Sequence, residues 1–266
     1  MYATNYHRAS SVEDAVKLAS ANDEAKYLSG GQTLLPTMKQ RLAAPSDLVD
    51  LRHVSGLKGI SVSGGSIRIG AATTHAEVAS SSEIASACPG LVHLAAHIGD
   101  PHVRHMGTIG GSVANNDPAA DYPAGLMALN ATIVTNKRSI GADDFFTGMF
   151  DTALEDGELI VAIEITAPSK SGYAKFPNPA SRYAMTGVFV ARHGDGSVRV
   201  AVTGAGSDGV FRQADMEQAL ASNFSASALD GITVSDSELM SDIHASSAYR
   251  ANLVKVMAKR AVAAAG

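Results

Sequence analysis

An α+β fold is what this sequence predicts, and three observations carry the expectation. Strand-like and helix-like segments are mixed along the chain without the strict alternation of a doubly wound sheet. The 266 residues, 45% of them apolar, are enough for a sizeable core and, at roughly 150 residues per domain, for one or two domains with two favoured. Twenty-five glycines and no tryptophan imply many tight turns and close backbone approaches.

The elements follow in order. Ser10 and Glu13 stand at capping-box spacing, and Val12, Ala15, Val16 and Ala19 share one helical face. Lys26–Leu28 reads as a short strand broken by Ser29-Gly30-Gly31-Gln32-Thr33. Leu34–Arg41 reads as a short helix that tolerates Pro36 in its first turn. Asp47–Leu51 is a further strand, so the first unit, to about residue 53, is strand–helix–strand–loop–strand in outline. Gly59–Val62 and Ile67–Gly70 flank Gly64-Gly65, a hairpin signal. Thr74 and Glu77 open a helix with a second capping box, and Leu91, Leu94, Ala95 and Ile98 form another helical stripe. Val103–Pro123, dense in Gly, Asn, Asp and Pro, reads as a long irregular loop of the functional kind. Helix resumes near Ala124–Leu129, followed by strands at Thr132–Thr135 and Glu158–Ile165. Pro168–Gly172 reads as a linker between residues 1–167 and 173–266. Beyond it come a hairpin around His193-Gly194-Asp195-Gly196 and helices near Gln213–Ala221 and Ser247–Ala264.

Composition excludes several functions. Lys and Arg total 21 against 26 Asp and Glu, a formal charge of −5 with no basic region, which argues against nucleic-acid binding. Cys88 is the one cysteine. It cannot form an internal disulfide, and a cluster or Cys-based zinc site needs about four ligands; beside Pro89 it reads as an inert buried thiol. The first twenty residues hold no signal-peptide core, and no run approaches the roughly twenty apolar residues of a membrane span. A soluble, cytoplasmic protein is expected.

Two glycine-rich segments are the main chemical candidates. Ser29–Thr33 and Gly107-Thr108-Ile109-Gly110-Gly111-Ser112 each set paired glycines beside hydroxyls, so that successive N–H groups can face an anion. Together they can hold the two phosphates of a dinucleotide; singly, each is also an ordinary turn. Ala114–Asp121 suits a polar ligand, with a solvated loop of Asx turns as the plainer reading. Gly204-Ala205-Gly206-Ser207-Asp208-Gly209 matches a dinucleotide fingerprint with Asp230 downstream, but lacks the following strands of that fold. His93, His97, His102 and His105, with Asp100 among them, read as helix-surface and loop residues rather than a metal cluster.

The segments Tyr27–Pro36 and Val103–Pro123, the latter through its more specific motif Gly107–Pro118, with Asp151–Ile160 and Tyr173–Tyr183, resemble the FAD-binding medium subunit of molybdenum hydroxylases, in particular the aerobic carbon monoxide dehydrogenase type, along essentially the whole chain. The resemblance implies a two-subdomain FAD-binding domain (about 1–53 and 54–167) and a C-terminal α+β domain. It implies that Ser29, Gly30, Gly31, Gln32, Thr33 and Leu34, with Thr108, Ile109, Gly110, Gly111 and Ser112, wrap the FAD pyrophosphate. Asp121 matches a position on the flavin nucleotide, Ile160 and Lys175 match positions beside the flavin, and Tyr183 matches a cover for one face of the ring. Lys175 is expected to stabilise negative charge on the reduced ring. The implied partners are a large molybdopterin subunit and a small subunit with two [2Fe–2S] clusters, arranged as a dimer of heterotrimers. The implied role is electron transfer from those clusters through FAD to an external acceptor. A self-sufficient FAD-dependent oxidoreductase of the same fold is the alternative.

Overall fold

The computed structural model describes residues 1–265. Three sheets follow one another along the chain. The first is parallel, in the order β1 (Asn5–Arg8), β3 (Asp47–Asp50), β2 (Lys26–Leu28), with helices α1 (Val12–Ala19) and α2 (Leu34–Lys39) in the crossovers. Helix α1 is capped one residue later than expected. Ser11 accepts from the Asp14 N–H, while Ser10 donates its own N–H and hydroxyl to the Asp14 carboxylate.

The second sheet is antiparallel, in the order β4 (Ile60–Ser63), β5 (Ser66–Gly70), β10 (Ile160–Thr166), β6 (Thr132–Thr135), β7 (Ser139–Gly141). Gly64 and Gly65 both take positive φ in the β4–β5 turn, as a tight hairpin requires. Between β5 and β6 run six short helices: α3 (His75–Ser80), α4 (Ser82–Ala87), α5 (Pro89–Ala96), α6 (Pro101–Met106), α7 (Ile109–Asn115) and α8 (Tyr122–Ala128). The expected capping box of α3 is present, with the Glu77 N–H bonded to Thr74 Oγ1 and the Thr74 N–H bonded to Glu77. The stretch 103–123 is therefore largely helical, not an irregular loop. Asp100 and Thr108 cap α6 and α7, and Asn116 ends α7 in the left-handed conformation. Helix α8 is buried on every side, in keeping with a sequence that holds no charged residue. A short helix α9 (Ala142–Phe145) and the hairpin β8 (Phe146–Gly148) and β9 (Asp151–Thr152) complete this unit.

The third sheet is antiparallel, in the order β11 (Lys170–Pro177), β12 (Ala184–Arg192), β13 (Val198–Thr203), β14 (Phe211–Arg212), followed by α10 (Ala214–Ser222) and α11 (Ser247–Ala264). One face packs Tyr173, Phe189 and Ala191 into the core of the second unit. The other packs Val188, Val190 and Val200 against α10 and α11. Covered on both faces, β12 is buried for eight residues in succession and shows no alternation in sequence. The same sandwiching corrects the expected linker: Lys170–Gly172 begin β11. A Cβ on Gly172 would strike the Ala261 carbonyl of α11, and one on Gly90 of α5 would lie 2.9 Å from Gly172 N. Ser171 accepts from the Gly90 N–H at 3.0 Å and from Cys88 Sγ at 3.5 Å. Burial pushes the Cys88 thiol up, in line with an unreactive role.

Candidate functional site

A cleft of about 1030 Å³ opens where the first and second units meet. The loop after β2 and the loop before α7 converge there, although 79 residues separate Ser29 from Thr108: their side-chain oxygens are 2.9 Å apart. Gly30 lies so close to the backbone at 106–107 that a Cβ on it would sit 2.7 Å from Gly107 Cα. Gly31 takes φ +69°, which turns the chain into α2.

The two loops use their donors differently. The N–H groups of Gly30, Gly31, Gln32, Thr33 and Leu34 find no acceptor among the described residues, and all five residues line the cleft. Consecutive free amides in a glycine turn form a cradle for an anion. Before α7 the amides are already engaged. Ile109 N donates to Thr73 O at 3.0 Å, Gly110 N to Ala71 O at 2.8 Å, and Gly111 N to Thr108 Oγ1 at 3.2 Å. His75 N donates in return to Gly107 O at 2.9 Å. The second loop therefore offers the hydroxyls of Thr108 and Ser112 rather than a row of amides. Gly110 is small because Ala71 lies beneath it, with Ala71 O 2.7 Å from an added Cβ. At Gly111 the nearest obstruction is Thr108 Oγ1 at 2.9 Å, and the next is Ser29 Cβ at 3.9 Å.

Of the other expected residues, Asp121, Ile160 and Tyr183 line the cleft with Thr108, Gly110, Gly111 and Ser112. Ile109 is fully buried in the hydrophobic core instead. Tyr183 stands 55% exposed on the β11–β12 turn, beside Arg182 at φ +63°. Lys175 does not line the cleft. Its side chain is 2% exposed, and its ammonium lies 2.9 Å from Asp121 and 3.0 Å from His97 O; Tyr173 OH also donates to Asp121. Burial pushes the Asp121 carboxyl up from its ordinary range, against the pull of Lys175 and Tyr173. The lysine charge thus reaches the cleft through Asp121.

Glu158, also on the cleft wall, answers to burial first and then to stronger bonds. Arg138, the Glu155 N–H and Thr135 Oγ1 bring its pKa down to about 2. Asn116 is buried and gives its side-chain amide to Gly148 O and Asp151 O at 2.8 and 2.7 Å, pinning the β8–β9 hairpin to the end of α7. Asp117 makes the expected Asx contact with Ala119 N. His75, which sequence reasoning passed over, is buried on the cleft wall at the first turn of α3. Its signal was its place just after the cap residue Thr74.

The other motifs resolve locally. Gly204–Gly209 forms the connection from β13 to antiparallel β14, so it lacks the parallel strand and crossover helix of a nicotinamide site. His93 and His97 pack ring against ring at 4.4 Å. Among the described residues no three His, Cys, Asp or Glu side chains are placed to hold a metal, and no helix is long and apolar enough to cross a membrane.

Residues 2–168 match the family described as the FAD binding domain in molybdopterin dehydrogenase. The chain belongs to that family. It is 36% identical to the nicotine 6-hydroxylase medium subunit of Paenarthrobacter nicotinovorans, over 99% of this chain and 98% of the relative. It is 35% identical to the glyceraldehyde dehydrogenase medium chain of Sulfolobus acidocaldarius, over 97% and 96%. Among solved structures it superposes on reconstituted CO dehydrogenase from Oligotropha carboxidovorans with a TM-score of 0.88 and 33% identity, covering 99% of this chain and 98% of the other. The chain is thus a flavoprotein subunit of an oxidoreductase, and FAD is its cofactor. The cleft suits that group: five free amides and the hydroxyls of Ser29, Thr108 and Ser112 match a diphosphate, and Leu57, Leu159 and Ile160 supply apolar wall.

Proposed function

We propose that this chain is the electron-transfer subunit of a molybdenum hydroxylase complex, seating FAD between the [2Fe–2S] clusters of a small partner subunit and an external acceptor. The observation that carries the reading is the convergence of two distant glycine loops on one cleft, joined at Ser29 and Thr108, with a row of free amides on residues that line it. The amides of Gly30–Leu34 bind the diphosphate, and the hydroxyls of Ser29, Thr108 and Ser112 flank it. Ile160 packs beside the flavin and Tyr183 covers one face of it. Asp121, held by Lys175 and Tyr173, offers the nucleotide a fixed polar group. When bound, FAD supplies the redox chemistry, accepting electrons one at a time from the clusters and passing them on. The chain's own contribution is position, exclusion of water and electrostatics.

Medium chains of similar identity serve complexes named for nicotine and for glyceraldehyde, which supports the view that substrate is selected on the large molybdopterin subunit. A dimer of heterotrimers in the cytoplasm is the assembly we propose. Purified with its partner subunits, the chain should carry a full complement of FAD. Substrate should bleach the flavin absorbance only when the cluster subunit is present. Bleaching in the isolated chain would make it a self-sufficient oxidoreductase, and a colourless chain that takes up no FAD would end the reading.

A further inference from the structure

His75 is a buried polar group without a stated task. It is 5% exposed at the start of α3, its backbone is tied to Gly107, and its ring lies against the Gly107 backbone, where a Cβ would come within 2.7 Å of Nε2. Gly107 is also the point at which Gly30 meets the second loop. The ring thus sits under the crossing of the two loops. Neither ring nitrogen has a hydrogen-bond partner among the described residues. Nδ1 is sealed from solvent, whereas Nε2 is not, and the residue lines the cleft.

The unequal surroundings fix the tautomer. A buried N–H left without an acceptor is rarer and more costly than a buried lone pair without a donor. The proton of the neutral ring therefore belongs on Nε2, the nitrogen with access to the cleft. The ring also stays neutral. Burial, and then the positive charge of Arg104 on α6, lower its pKa to about 4. The other titratable ring set against it, Tyr122 on α8, lies at a centroid distance of 5.4 Å, and burial raises its pKa. Among the described residues no acid acts on the imidazole to draw a second proton onto it.

We infer that His75 is a further ligand-binding residue of this cleft, a neutral imidazole whose Nε2–H donates a hydrogen bond to a phosphate oxygen of the dinucleotide. It complements the free amides of Gly30–Leu34 from α3, beside the second loop, whose Ile109, Gly110 and Gly111 amides are already engaged. This inference rests on the FAD reading of the cleft.

The test is FAD binding by the purified full chain, followed by flavin fluorescence, for wild type, His75→Phe and His75→Gln. The Phe variant should weaken FAD about tenfold, as expected for loss of one buried hydrogen bond, and Gln should restore binding to within about threefold of wild type. ADP, used as a competitor, should lose affinity in the Phe variant by a similar factor. In the wild type, ¹⁵N NMR of the histidine side chains should find the His75 proton on Nε2, with that signal moving when FAD is added. Wild-type affinity in the Phe variant, an unchanged affinity for ADP, or a proton on Nδ1 would overturn the assignment. If His75→Phe does not fold, the tautomer and its response to FAD still decide. Failure of the wild type to bind FAD would instead overturn the reading of the cleft.

Discussion

The two glycine loops look alike in sequence and are built for different work. In Ser29–Leu34 the glycines hold a turn that lines the cleft and whose five amides stay free. In Gly107–Ser112 the amides of Ile109 and Gly110 bond to Thr73 O and Ala71 O, and Gly110 is small because it rests on Ala71. The first loop is a donor set; the second is a keystone that sets the donors in place. Polar groups engaged inside the protein should therefore fail as stability, and polar groups left free should fail as ligand affinity.

The largest effect tests that rule beyond the loops. Lys175 is engaged: its ammonium and the Asp121 carboxylate are both buried, 2.9 Å apart. Lys175→Met leaves a buried carboxylate without its cation, which should cost about 3–5 kcal/mol, measured by denaturant unfolding. The pH dependence has a definite sign. Burial already raises the Asp121 pKa, and removing the cation raises it further. A carboxyl whose folded pKa lies above its unfolded value binds more protons when folded, so stability falls as pH rises through the folded pKa. The variant should thus recover stability as pH drops from neutral toward 5. A variant that is stable at neutral pH and altered only in flavin potential would place Lys175 in the cleft after all.

Next come the tight glycines. Gly30→Ala and Gly110→Ala each push a methyl against backbone, at Gly107 Cα and Ala71 O, both 2.7 Å away. Each should cost about 1–3 kcal/mol in the FAD-free protein, read as a lowered melting temperature. Gly111→Ala differs, since apart from Thr108 Oγ1 its methyl has room. It should weaken FAD about tenfold with a smaller loss of stability. If Gly110→Ala and Gly111→Ala behaved identically in both assays, the distinction between keystone and ligand face would fail.

How much of this was legible in sequence depended on how local the cause was. The Gly64-Gly65 hairpin, the Thr74–Glu77 cap and the extent of α11 are set by neighbouring residues, and the chain displays them. Helices α6 and α7 were hidden. Each is six or seven residues long, too short to show two periods, and α7 is fixed by Ala71 and Thr73, some forty residues upstream. Ser169-Lys170-Ser171-Gly172 has the composition of a linker. Its glycine, however, is there to let α11 approach, and its Ser171 accepts from Gly90. In the site, glycine pairs located both loops, yet which amides stay free is a tertiary fact. Lys175 reads as an available cation until Asp121, 54 residues away, is found against it. His75 was marked only by its place after the cap residue Thr74.

The smallest effect bears on the contact that joins the loops. Ser29 Oγ and Thr108 Oγ1 are 2.9 Å apart, and Thr108 Oγ1 also accepts from the Gly111 N–H. Either hydroxyl can donate across the Ser29–Thr108 contact, since the Thr108 oxygen has a second lone pair beyond the one that takes the Gly111 N–H. Ser29→Ala removes one partner in a part-buried place, and Thr108 keeps its role as the cap of α7. The expected loss is about 1 kcal/mol, visible as a small rise in the FAD dissociation constant with little change in the melting temperature of the FAD-free protein. Thr108→Ala removes the cap as well and should lower both. Because one residue closes the cleft and the other also starts a helix, the two hydroxyls of a single hydrogen bond should separate in these assays. If they do not, the contact between the loops belongs to the fold alone.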